Sequence, residues 1–191
     1  MSVNTVDLNR QRQDLTRYDE IWVFGYGSLI YKVDFPYLEK SWAQIAGWER
    51  RFWQGSHDHR GTLERPGRVV TLIPSTVNAL CHGVAYRVHP DVFDHLDHRE
   101  KNGYLRHELA IRFPDGKEKP GLIYIADEHN EAFLGDDDID IIAAQILAAA
   151  GPSGPNSEYL FALDDALRRQ GVVDDHVSSL AEKVKVLAGE C

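Results

Sequence analysis

Ile21-Trp22-Val23-Phe24-Gly25-Tyr26-Gly27-Ser28-Leu29-Ile30 is the stretch on which the fold reading turns. Four apolar β-branched or aromatic residues in a row read as a buried strand, and the two glycines that follow read as a tight turn at its end. Glycines placed there let the backbone approach a ligand closely. Backbone N–H groups in such a turn suit a carboxylate or a developing oxyanion. A dinucleotide fingerprint would need a third glycine where Ile30 stands, and a phosphate-binding loop would need Gly-Lys-Ser/Thr, which is absent. Taken alone, the stretch is a turn.

Working outward, further strands are expected over 45–54, 68–74, 82–88, 105–113 and 121–126, each rich in β-branched and aromatic residues. In the fourth, Leu105, His107, Leu109, Ile111 and Phe113 share one face. Between strands, Pro90 to Glu100 reads as a short helix with Val92, Phe93 and Leu96 at helical spacing, and Gly103 suits its left-handed exit. After residue 135 the period becomes helical. Ile139, Ile142, Ala143, Ile146 and Leu147 form one stripe, the Gly-Pro turn 151–156 breaks it, and helices follow over 157–170 and 175–187. Strands first and helices last give an α+β class with a mostly antiparallel or mixed sheet, open or closed into a barrel. Residues 1–19 read as a polar, loosely ordered leader, and residues 1–191 as a single domain.

Composition excludes several function classes. A net charge of −9 lacks the basic footprint of nucleic-acid binding. It also gives no general attraction for anions, so an anionic substrate requires local basic groups. Two cysteines, Cys81 and Cys191, make no disulfide framework and fit a reducing compartment. The N-terminus has no apolar signal core, and the apolar stretch 139–150 is too short to span a bilayer. A cytoplasmic protein without membrane or nucleic-acid partners is expected; the sequence does not set its oligomeric state.

Four clusters carry titratable groups. Glu100 sits between Arg99 and Lys101 at a helix-to-strand junction, where a carboxylate either points into a sheet opening or is solvated. His57-Asp58-His59, with His82, lacks a placed carboxylate or cysteine partner for zinc and reads as a polar loop. Asp136-Asp137-Asp138 lacks EF-hand spacing and reads as a helix N-terminus. Cys81 reads as a small buried hydrophobe. No metal and no cofactor are expected.

Six strings then occur in order: VFGYGSLIYKVDFPY from Val23, RRFWQGSHDHRGT from Arg50, PGRVVTL from Pro66, GVAYRV from Gly83, LDHREKNGY from Leu96 and GPSGPNSEYLF from Gly151. Together they resemble the ChaC-type, glutathione-specific γ-glutamylcyclotransferases over about Ile21 to Leu180. The resemblance implies a γ-glutamylcyclotransferase-like fold, a small mixed β-barrel with helices outside it. It implies that Tyr26, Gly27, Ser28 and Leu29 bind the γ-glutamyl group, that Glu100 is the acid/base residue and that Tyr159 contacts substrate. Arg60, in the shared Asp-His-Arg-Gly string, is the first choice among Arg50, Arg51, Arg60, Arg65 and Arg68 to meet the distal carboxylate of glutathione; the competing role is holding its own loop through Asp58 or another carboxylate. The chain departs from the family pattern at Asn102, where a glycine is common, at His57, where threonine is frequent, and at Asp91, where some members carry a second glutamate.

The implied reaction is intramolecular. The α-amine of the γ-glutamyl unit attacks its own γ-carbonyl, 5-oxoproline forms and Cys-Gly leaves. The step needs orientation, proton transfer and oxyanion stabilisation. Glu100 must take a proton from an ammonium about four pKa units weaker as an acid, so burial beside Phe93, Leu96 and Tyr104 that raises its pKa would help. Cyclotransfer on another γ-glutamyl amine or dipeptide, or a non-catalytic cation-transport regulatory module, are the alternatives.

Overall fold

The computed structural model describes residues 4–190, so Cys191 lies outside the described residues. The chain forms two compact units, one from 1–49 and 72–131 and the other from 50–71 and 132–191.

The first unit is built on a barrel. Its strands are β1 (Ile21–Gly25), β2 (Glu39–Ala46), β5 (Leu80–Val88), β6 (Leu105–Arg112) and β7 (Glu118–Ile125), closed in the order β1-β5-β2-β6-β7. β1 is buried at every position, as its unbroken apolar run requires. It pairs antiparallel with β5, from Ile21↔Val88 to Gly25↔Val84, and parallel with β7 through Trp22↔Gly121 and Val23↔Leu122. That parallel pairing closes the ring and leaves no open edge. Phe24, Val84, Tyr86, Ile111 and Ile123 are buried at 1% exposure or less. Helix α2 (Val92–Arg99) buries Val92, Phe93 and Leu96 as its spacing predicts. It also buries Asp97, which the spacing did not announce. Gly103 adopts φ 94° on the way into β6.

The second unit holds most of the pair β3 (Trp48–Ser56) and β4 (Gly67–Pro74), together with α3 (Ile139–Ala148), the two-residue strands β8 (Ala150–Gly151) and β9 (Gly154–Pro155), α4 (Asn156–Arg169) and α5 (Asp175–Leu187). Ile142, Ile146, Leu160, Leu163, Leu167, Leu180 and Val184 make its helical core. Asp138 caps α3 by accepting from the Asp140 amide, so the acidic triplet is a helix start. Asp174 caps α5 from the Val177 amide in the same way.

Two expectations need correction. The run 45–54 is not one strand. Gly47, at φ 85°, turns the chain between β2 and β3, a conformation costly for any residue with a side chain. The leader is not loosely ordered either. Residues Val6–Arg12 form helix α1, and Thr5 and Asn9 are buried against the barrel unit. Polar composition concealed this, because the docking is made by hydrogen bonds rather than by an apolar stripe.

Candidate active site

The glycine-rich turn is built tightly onto the end of β1. A Cβ on Gly25 would stand 2.4 Å from that of Leu29, so only glycine lets the following 3-10 turn, Ser28–Ile30, fold back this closely. The Ile30 amide donates to the Gly27 carbonyl at 3.0 Å, and the Lys32 amide to that of Ser28 at 2.7 Å. Tyr26 and Leu29 are anchors. The Tyr26 hydroxyl donates to the Tyr124 carbonyl at 2.5 Å, and the Leu29 carbonyl accepts from the Tyr86 hydroxyl at 2.6 Å. Gly27 and Ser28, between the anchors, remain half-exposed.

Glu100 caps the C-terminus of α2, its amide donating to the Leu96 carbonyl at 2.9 Å. Its side chain retains 20% exposure. Of the residues expected beside it, Phe93 and Leu96 are buried and Tyr104 is half-buried. A cation is there as well: Arg99 Nε lies 3.6 Å from Glu100 Oε1.

Arg99 is the residue that joins the two motifs. Its Nη2 donates to Ser28 Oγ at 2.8 Å, and its Nη1 pairs with Asp34 Oδ1 at 2.5 Å. His95 approaches the other Asp34 oxygen at 3.2 Å. Burial alone would raise the Asp34 carboxyl, but the Arg99 charge and the hydrogen bonds from His95 and Arg99 outweigh it and hold Asp34 below the usual carboxylate range. The planar fork of arginine suits this task, because one group reaches the turn, Asp34 and the neighbourhood of Glu100 together. The sequence reading used Arg99 only as a flank of Glu100. The available signal was its place in the same string, and three-dimensional neighbours were needed to see what it grips.

The far side of α2 is fixed by a buried network. Tyr124 donates to Asp97 Oδ1 at 2.6 Å, and Arg106 Nε lies 3.5 Å from the same oxygen. Burial raises the Asp97 carboxyl, against the lowering effect of Tyr124 and Arg106. Burial and the Asp97 charge push the Tyr124 hydroxyl well above its usual range, so it stays a donor. Tyr124 thus holds α2 by its side chain and Tyr26 by its carbonyl.

Within the second unit, the other two expected contacts meet each other. The Arg60 guanidinium lies over the Tyr159 ring, 5.9 Å from its centroid. Arg60 is buried, donates through Nη1 to the Pro155 carbonyl at 3.2 Å and stands 4.0 Å from exposed Glu158. Asp58 Oδ2 lies 3.5 Å from His59 Nε2. The Tyr159 hydroxyl accepts from the Val70 amide at 3.3 Å. Cys81 is buried, as expected. Among the described residues, no three His, Cys, Asp or Glu side chains gather as a metal site, and no helix is long and apolar enough to cross a membrane.

The closed barrel with its adjoining helices is a γ-glutamylcyclotransferase fold, as the solved structures that match it show. A crystal structure of the glutathione-specific γ-glutamylcyclotransferase from yeast matches with a TM-score of 0.83 at 33% identity, covering 88% of this chain and 97% of that one. The ChaC-like protein family profile matches residues 21–187, and the chain belongs to that family. Among curated relatives, γ-glutamylcyclotransferase 2-3 of Arabidopsis thaliana is 43% identical, over 89% of this chain and 91% of its own. The mouse glutathione-specific γ-glutamylcyclotransferase 1 is 38% identical, over 87% and 79%.

Proposed function

We propose that this protein degrades glutathione by cyclising its γ-glutamyl unit, releasing 5-oxoproline and Cys-Gly, with Glu100 moving the protons. The observation that carries the reading is the Arg99 bridge, which links Ser28 of the glycine-rich turn at 2.8 Å to a position 3.6 Å from the Glu100 carboxylate. A binding module has no need of a carboxylate held beside the turn that takes the γ-glutamyl group.

The chemistry divides among these groups. The amides of half-exposed Gly27 and Ser28, with that of Leu29 beside them, receive the α-carboxylate of the γ-glutamyl unit. Those of Ser28 and Leu29 precede the first hydrogen bond of the 3-10 turn and have no partner within it. Glu100 takes a proton from the α-ammonium. The amine attacks the γ-carbonyl and its nitrogen sheds a second proton as it becomes the lactam N–H; the C–N bond to cysteine breaks, and both protons end on the leaving nitrogen, the first through Glu100, so that Cys-Gly departs as an ammonium. Charge balances without a cofactor. Well-oriented intramolecular attack can recover about 7–11 kcal/mol of barrier, and the site's part is to hold the substrate folded in that orientation. Tyr159 and Arg60 are proposed as substrate contacts on the family resemblance. We assign the activity to the cytoplasm and to residues 1–191 acting as one functional domain, a reading supported by the span of the family match across both units.

Substrate choice is tested by comparing kcat/KM for glutathione, γ-glutamylcysteine and other γ-glutamyl dipeptides. Glutathione should be preferred by at least an order of magnitude. Equal or better turnover of another γ-glutamyl compound would move the assignment to that substrate.

A further inference from the structure

The family match begins at residue 21, yet the segment before it is docked onto the backbone that carries Glu100. The Thr5 amide donates to the Lys101 carbonyl at 2.9 Å. The Thr5 hydroxyl stands 2.9 Å from that same carbonyl and 3.3 Å from the carbonyl of Glu100 itself. Asn4 bridges Asn102. Four residues after Thr5, Asn9 spans the other end of the loop: its Nδ2 donates to the Tyr104 carbonyl at 3.0 Å, and its Oδ1 accepts from the Arg106 amide at 2.8 Å. The Arg106 guanidinium returns a bond to the Asn9 carbonyl. Thr5 is 2% exposed and Asn9 fully buried.

We propose that residues 4–13 are a strap that sets the position of Glu100, with Thr5 and Asn9 as positioning residues for proton transfer. The inference rests on Glu100 being the acid/base group. Helix α1, at seven residues, is too short to persist alone and exists because it is docked. In return it supplies donors to carbonyls at the end of α2, which otherwise lack intrahelical partners, and so fixes the loop 100–106 from both ends. Glu100 sits just past the last turn of α2, where its amide donates to the Leu96 carbonyl at 2.9 Å and the strap adds the Thr5 hydroxyl at its own carbonyl. Proton transfer requires the carboxylate within hydrogen-bond reach of the reacting nitrogen, and a shift of about 1 Å costs up to about a hundredfold.

The test uses the full chain with Thr5→Val, Thr5→Ser, Asn9→Leu and, as a control, Glu100→Gln. Valine keeps the shape of threonine and removes only the hydroxyl. Thr5→Val and Asn9→Leu should each lower kcat for glutathione about tenfold while KM stays within about twofold, and amide exchange over 100–106 should quicken. Thr5→Ser should restore kcat. Turnover within twofold of wild type in Thr5→Val, or a raised KM with kcat unchanged, would overturn the strap. So would an equal loss in Thr5→Ser. If Asn9→Leu fails to fold, the threonine pair decides alone. Glu100→Gln separates the two levels: if it retains turnover, the acid/base assignment falls, whereas an inactive Glu100→Gln beside a fully active Thr5→Val sinks only the strap.

Discussion

Glu100 and Arg99 form an unequal pair: one is the group assigned to move protons, the other the group that holds its surroundings together. Glu100→Gln keeps shape and hydrogen-bonding reach but removes the titrating proton, so turnover should fall by at least about a hundredfold, with glutathione still bound and the circular dichroism spectrum unchanged. Near-normal turnover in that variant would remove Glu100 from the mechanism. Arg60 poses a different choice. Its burial, its bond to the Pro155 carbonyl and its place over Tyr159 give it a structural duty in the second unit. A contact with the distal carboxylate of glutathione would add to that duty. Arg60→Ala assayed on glutathione and on γ-glutamylcysteine separates the two. A selective rise in KM for glutathione identifies the contact, and an equal penalty on both substrates with a lowered Tm assigns Arg60 to scaffolding.

At the scale of elements, α5 is tied to β3 by a histidine. The Phe52 amide donates to His176 Nε2 at 2.9 Å, which requires a neutral ring. Burial first, then the charge of Arg51, pulls its pKa down to about 4 from 6.5. The unfolded chain therefore binds a proton between about pH 6.5 and 4 that the folded chain refuses. The stabilising contribution is complete above pH 6.5 and is lost as pH falls through 4, on the order of 3 kcal/mol at the limit. Urea melts from pH 7 to 4 should show that decline, and His176→Gln, which keeps an acceptor but does not titrate, should flatten it. An unchanged slope in His176→Gln would place the acid sensitivity elsewhere.

How much of each element was legible follows from what made it. β1, α2, α4 and α5 are specified by local periodicity and punctuation, and the sequence shows them nearly to the residue. The break at Gly47 was missed because apolar residues continue through it, and only the φ of 85° marks the turn. Barrel closure depends on β1 meeting β7 from nearly a hundred residues away, which no local pattern encodes. The site divides the same way. Tyr26 to Leu29 and Glu100 stand in recognisable strings. Arg106 lies in β6 on the strand face opposite the apolar alternation, and its burial with Asp97 could not be read from that alternation. Thr5 and Asn9 belong to a segment whose polarity looked like solvent exposure until its partners were seen.

For the whole molecule, the net charge of −9 means that an anionic substrate is not gathered by the long-range field. Recognition rests on a few local groups, so kcat/KM should vary only weakly with ionic strength beyond the screening of those contacts. The cyclisation as written needs no metal, and full activity should survive exhaustive chelation. Loss with EDTA and recovery with zinc or calcium would require a different mechanism. The central claim is tested most directly by incubating the purified full chain with glutathione and quantifying every product by mass spectrometry. The account predicts 5-oxoproline and Cys-Gly in a one-to-one ratio, with no free glutamate. Free glutamate in place of 5-oxoproline would mean attack by water rather than by the substrate's own amine, and absence of any turnover would mean that the fold serves binding alone; either result contradicts the account.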